Sequence, residues 1–356
     1  MTDTLRRTTV TAATGLGLCL ALLPAGPAQA RAATSVPCND VTALTAAITD
    51  ANTSGSGSIV LAPRCVYSLT AADNPADGLP EITGNVRITG DGTTIERSSG
   101  QLFRIFHVRA GGSLSLKSVT VRFGELGVTD PAGGGILNVG GTVTLTDSSV
   151  RNNTASAGGG IWNQLGTLVL KNTTVSNNRA DWGGGVGTSG TMTMQGGALR
   201  HNASAFWGGG LVNGGDTRLT KVSVADNDSG DLGGGIVTLA INGEETGPLR
   251  LNSSKVTGNI ARNDGGGFMM GADETTTIER STVKGNTSNG GPATGGGIED
   301  SGVSLGLFVG ASESAPRGEK TATRLTPFRV DLIRSSVVKN FPTNCAPPGS
   351  VPNCVG

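Results

Sequence analysis

The chain has 356 residues, with 27 Lys+Arg against 27 Asp+Glu and only 2 His. That balance excludes recognition of nucleic acid or an anionic membrane by bulk charge. Gly fills 58 positions, while Phe 8, Trp 3 and Tyr 1 exclude a core built on large rings. Pro numbers only 15 and no Gly-X-Y period runs through the chain, which excludes collagen.

Residues 1–30 read as a signal peptide. Arg6 and Arg7 give a basic start, Val10 to Pro24 is apolar or small, and Ala28-Gln29-Ala30 is an A-x-A cleavage site. Thr8-Thr9 after the arginine pair favours general secretion over twin-arginine export. No later stretch reaches about 18 consecutive apolar residues, so the sequence predicts no transmembrane segment. The expectation is an exported, released chain of residues 31–356. It keeps four cysteines, Cys38, Cys65, Cys345 and Cys354, which an oxidising compartment can join in three ways. No C-x-x-C pair suggests a metal site.

An N-terminal cap occupies residues 31–57. Asn39 or Asp40 can N-cap a helix from Val41 to about Asn52, with Val41, Leu44 and Ile48 on one face and Gly55 as the stop. Irregular strands follow at Val86-Arg87-Ile88, Thr94-Ile95-Glu96 and Phe103 to Val108.

A repeat then takes over. Triple glycines begin at Gly133, Gly158, Gly183, Gly208, Gly233, Gly265 and Gly295. Half a period out of phase, an apolar residue stands three before an Asn: Asn153, Asn178, Asn202, Asn227, Asn259, Asn286 and, after an insertion at about 301–327, Asn340. Between the signals lie alternating stretches such as Thr142-Val143-Thr144-Leu145. Alternation with Thr and Val is strand chemistry, and Gly at every period forbids a helix. Two or three short strands per period of about 25 residues make a solenoid.

One such coil cannot bury its own apolar face, but stacked coils can, each strand pairing in parallel with its equivalents about 4.8 Å away. The prediction is an all-β, right-handed parallel β-helix over 58–340, with residues 341–356 as a tail. Val143, Leu168, Met192 and Leu249 form one inward ladder; Leu145, Leu170, Met194, Leu219 and Leu251 form another. The seven Asn form a structural ladder of amide hydrogen bonds. About ten coils would hold the two ends about 40 Å apart. Only Cys38–Cys65 and Cys345–Cys354 then meet disulfide geometry.

Gly-Gly-Gly-Ile, a strand and Val-x-x-Asn together resemble the repeat of polymorphic outer-membrane proteins. The likeness covers roughly residues 38–340 and implies a pectate-lyase-like β-helix at or beyond the cell surface. Val replaces the Phe usual in that family's Phe-x-x-Asn. The start, Cys38-Asn39-Asp40-Val41-Thr42-Ala43, departs from the Cys-Ser-Leu-Arg-Glu-Ala of similar secreted bacterial β-helix proteins.

Catalytic residues are not evident. There is no Asp-Asp pair, Gly-His-Gly or Arg-Ile-Lys, the signs of a polygalacturonase. His107 alternates with Phe106 and Val108, which points it outward from a strand. His201 stands beside the Asn ladder, where other coils have Asn152, Asn177 or Asp226. The glycine triplets recur once per coil without a following Lys-Ser/Thr, so they are turns and not phosphate loops.

Two features carry binding expectations. Trp162, Trp182 and Trp207 fall on successive coils, the last two just before a glycine triplet, and exposed rings there would make a platform for sugar faces. The alternative is an aromatic stack covering a bend. Glu244-Glu245, Asp273-Glu274 and Glu299-Asp300 lie on three consecutive coils and could hold Ca²⁺, with Arg250, Arg280 or Arg324 nearby to support a β-elimination. Solvated surface loops are the plainer reading. The sequence requires no cofactor. The leading expectation is a secreted, non-catalytic protein that binds extracellular or cell-surface polysaccharide. A polysaccharide lyase or glycoside hydrolase, and an adhesive protein that binds a protein partner, are the alternatives.

Overall fold

A computed structural model describes residues 32–127, 132–241, 246–271, 275–300 and 330–354, with the backbone of 304–308, 317–321 and 329. The signal peptide expected at residues 1–30 falls outside the described residues. The described residues form a parallel β-solenoid of about nine turns, each of about 27 residues. Its strands stack into sheets of 17, nine and five members, and a fourth sheet has three.

The cap follows the sequence closely. Asp40 is the N-cap of the helix Val41–Thr53, its carboxylate accepting from Ala43 N–H at 2.9 Å. Leu44, Ala47, Ile48 and Ala51 bury one stripe over the first coil, with Val41 packed at its margin. A parallel edge that would otherwise recruit another chain is thereby covered. Cys38–Cys65 ties the cap to the first coil, and Cys345–Cys354 ties the tail to the last. Val351 of that tail is buried in the main core.

The inward ladders run the full length with in-register pairing. Ile88, Leu116, Leu145, Leu170, Met194, Leu219, Leu251, Ile278 and Leu332 are successive partners. The other ladder is less apolar than expected, because Thr217 stands between Met192 and Leu249 and Thr276 follows. Thr217 is fully buried and donates to Asn213 Oδ1 at 2.5 Å, which offsets the cost of burying its hydroxyl.

The two sequence signals of the repeat meet in space. Each ladder Asn directs its backbone N–H and its Nδ2 at the Oδ1 of the next coil's Asn. Asn178 does so to Asn202 at 3.1 and 3.0 Å, and Asn202 to Asn227 at 3.0 and 3.0 Å. The chain of bonds links all seven predicted residues and continues to Asn344. Behind it sits the third glycine of each triplet. A Cβ on Gly160 would lie 2.6 Å from Gly185 O and 2.9 Å from Asn178 Nδ2. The triplet is thus glycine partly because the Asn ladder leaves no room beside it.

A second buried polar stack was not evident in the sequence. Asn138 donates to Asn163 Oδ1 at 2.7 Å, and Asn163 donates to Thr188 Oγ1 at 2.9 Å. These residues stand third after the glycine triplets, a position that also holds Asn213 and Thr238. The recurring Asn or Thr there is the signal that would have found it.

Candidate functional site

Outward positions of the nine-stranded sheet form one ladder: His107, Leu137, Trp162, Gly187, Val212, Val237, Met269 and Glu299. Its middle is apolar and is not open to solvent. Residues just before the triplets, Ala132, Ala157, Trp182, Trp207 and Leu232, stack in their own ladder and fold back over it. Together they make a second apolar cluster outside the main core.

The tryptophan platform is therefore corrected. Trp162, Trp182 and Trp207 are 0, 5 and 4 % exposed, and the indoles cover the bend and offer no face to a ligand. Trp207 Nε1 donates to Asp231 Oδ2 at 3.0 Å. Beside them Phe206 does reach solvent, 46 % exposed, its ring centroid 5.1 Å from that of Trp182.

Of the acidic pairs, Glu244, Glu245, Asp273 and Glu274 lie outside the described residues, as does Arg324. Glu299 and Asp300 end the strand Gly295–Asp300; Glu299 continues the outward ladder, and Asp300 pairs with Met270 on the opposite face. Burial lifts the Glu299 carboxyl most; the Gly295 N–H that it accepts opposes this, and the Asp264 and Asp300 charges add to it, leaving the pKa at about 7. The insertion contributes backbone only: Ser304–Phe308 pairs in parallel with Ala240–Ile241 and antiparallel with Arg317–Thr321.

A groove lies along the flank built by Arg179–Trp182, Ala203–Trp207, Asp228–Ser229 and Ile260–Ala261. Its volume is about 680 Å³. Ala155, Ala180, Ala203, Ala205 and Gly230 make a shallow floor; Arg179, Asp181, Asp228 and Arg262 supply the charged groups and Thr154 lines one end, while the Ser204 hydroxyl is buried. The residues come from five successive coils, so the groove runs about 19 Å along the solenoid axis at one strand spacing per coil. Burial raises the Asp181 carboxyl above its usual range, more than the Ser156 hydrogen bond lowers it. The second residue after each ladder Asn from Asn153 to Asn286 is Ala or Ser, and with Ala203, Ala205 and Gly230 this gives the lowered floor of the groove.

The N-terminal end of the outward ladder is ionic. His107 is buried, not turned to solvent as its alternation suggests. Its Nδ1 lies 3.3 Å from Asp77 Oδ2 and 3.3 Å from Glu81 Oε1. Arg104, fully buried, holds the other Asp77 oxygen at 2.9 Å. Burial alone would raise the Asp77 carboxyl, but the His107 hydrogen bond and the Arg104 charge outweigh it and hold the pKa below the usual value. His201 stands where expected, at a left-handed backbone position (φ 53°) just before Asn202, and is exposed. No family model, curated protein or solved structure matches the chain.

Proposed function

We propose that the protein is a secreted, non-catalytic β-helix that binds an acidic extracellular or cell-surface polysaccharide along the Arg179–Arg262 groove. The observation that carries this reading is the groove's form: its lining comes from five coils and sets guanidinium and carboxylate groups over a floor of Ala and Gly. A linear polymer suits such a trough better than a compact ligand does, because the binding groups repeat along one axis. Guanidinium pairs with carboxylates in a bidentate geometry, and Asp carboxylates accept from sugar hydroxyls. Phe206, adjoining Ala205 and backed by Trp182, supplies an exposed ring for a sugar face. Two disulfides suit the oxidising space outside the cell.

Affinity electrophoresis through gels cast with polyuronates or neutral glycans tests the proposal. Retardation by a polyuronate, weakened about tenfold by Arg179→Ala with Arg262→Ala, is expected from the loss of one or two charge-assisted bonds. Lack of retardation by every acidic polymer, or retardation indifferent to both arginines, overturns it. A hydrolase is the second reading, favoured by the raised Asp181 carboxyl in the same groove. New reducing ends that vanish in Asp181→Asn would put it first.

A further inference from the structure

We propose that Asp77, Glu81 and His107 form a binding site for a first-row divalent transition cation of the Zn²⁺ type. Among the described residues, these three supply the only group of His, Cys, Asp and Glu donor atoms that all lie within 4.8 Å of one another. The spacing suits a small ion. Zn²⁺ bonds of about 2.0–2.1 Å in tetrahedral array put neighbouring donors about 3.3 Å apart. Both carboxylate oxygens stand at that distance from His107 Nδ1.

The protonic alternative fits less well. An imidazole nitrogen carries at most one hydrogen, so Nδ1 can direct a full bond at only one of the two oxygens it faces. A cation bound to Nδ1, Asp77 Oδ2 and Glu81 Oε1 satisfies all three. Its fourth position opens on the side where Glu81 is 39 % exposed and takes water.

The surroundings hold the donors in place. Asn74 Oδ1 accepts from Ala76 and Asp77 N–H at 3.2 and 3.1 Å, closing a turn that presents Asp77. Arg104 grips the Asp77 oxygen that faces away from the site, the usual way an outer partner orients a ligating carboxylate. Glu81 is fixed by its neighbour, because Ile82 N–H donates to His107 O at 2.8 Å and Arg109 N–H to Ile82 O at 3.0 Å. Arg109 approaches Glu81 Oε1 at 3.6 Å but is half exposed and free to swing into water as the ion enters. The donor set mixes one nitrogen with two oxygens, which suits Zn²⁺ or Co²⁺ and not Ca²⁺, a cation that wants six to eight oxygens. The site would pin the irregular segment before Gly84 to the strand Phe106–Val108, at the point where the regular ladder begins.

The purified full chain, with Cys19→Ser to remove the cysteine outside the two disulfides, is stripped with chelator and titrated with Zn²⁺ by calorimetry, and with Co²⁺ by visible absorption. The four described disulfide cysteines offer no competing thiolate. Expected are one Zn²⁺ per chain, a tetrahedral Co²⁺ spectrum and a rise in melting temperature. At least tenfold loss of affinity should follow His107→Gln and Glu81→Gln, and none should follow His201→Gln. Glu81 is half exposed, so its variant keeps the fold and decides the matter if His107→Gln does not fold. Absence of saturable Zn²⁺ binding, or binding that survives Glu81→Gln unchanged, overturns the proposal.

Discussion

The indole of Trp162 occupies the space where Gly187 has no side chain: a Cβ built on Gly187 would lie 2.1 Å from Trp162 Cζ3 and 2.2 Å from Cε3. The two residues are register partners on adjacent coils. Trp162 is fully buried and rigid, so it cannot yield as a flexible side chain would. Gly187→Ala should therefore destabilise by about 2–3 kcal/mol, in the range for overpacked cores. The double variant with Trp162→Leu should recover part of the loss, because the two changes share one space. Urea unfolding of the four chains checks both statements; additive losses would separate the pair.

The Asn ladder makes a second claim. Asn202→Ala removes the acceptor of Asn178 N–H and Nδ2, and the Nδ2 donor to Asn227 Oδ1 and Val175 O, while the residue's own N–H still donates to Asn227 Oδ1. Groups left unpaired at a fully buried site cost about 1–3 kcal/mol each, and local relaxation recovers some of this, so about 3 kcal/mol is expected. Because coils couple mainly to their neighbours, the loss should be local. Hydrogen exchange should speed up at Asn178 and Asn227 well before it does at Asn286. Uniform acceleration along the chain would show that the ladder is not the coupling element.

These ladders were legible because a fixed period announces which residues repeat, and parallel stacking turns a repeat into a contact. The capping helix followed from local rules, and both disulfides from the length of the stack, which holds the two ends apart. What stayed hidden lies on the outward face of the nine-stranded sheet. Alternation tells which side of a strand His107 or Trp162 occupies, but not whether another layer covers that side. Here the chain folds back at each triplet, so Trp182, Trp207 and Leu232 roof the outward positions and bury them. Asp77 and Glu81 belong to the least regular coil, where no period places them beside His107. The groove was missed because its floor is made of Ala and Gly, residues that carry no motif.

The cap offers a simpler test. Asp40 accepts the N–H of Ala43, one of the helix's unsatisfied donors. Asp40→Ala should lower stability by about 1 kcal/mol, while Asp40→Asn keeps an acceptor and should be nearly neutral. Thermal melts followed by helical circular dichroism report it; equal losses in the two variants would shift the role from the hydrogen bond to the charge.

Glu299 makes stability depend on pH in an unusual direction. Its carboxyl titrates near 4.5 in the unfolded chain and at about 7 in the fold, so between those values the folded protein holds a proton that the unfolded chain has released. Stability contributed by this group is complete below about pH 4.5 and is lost as pH rises through about 7. Burial is the main cause, with the nearby Asp264 and Asp300 charges adding to it against the opposing Gly295 N–H bond. Glu299→Gln keeps an oxygen for that N–H and removes the charge. The variant should match the parent at pH 5 and exceed it at pH 8 by about 1 kcal/mol, a figure discounted for the partly exposed side chain. Denaturant unfolding at the two pH values decides it: a gain of the same size at both would place the benefit in packing, and a loss at pH 8 would mean that the ionised carboxylate stabilises the last coils.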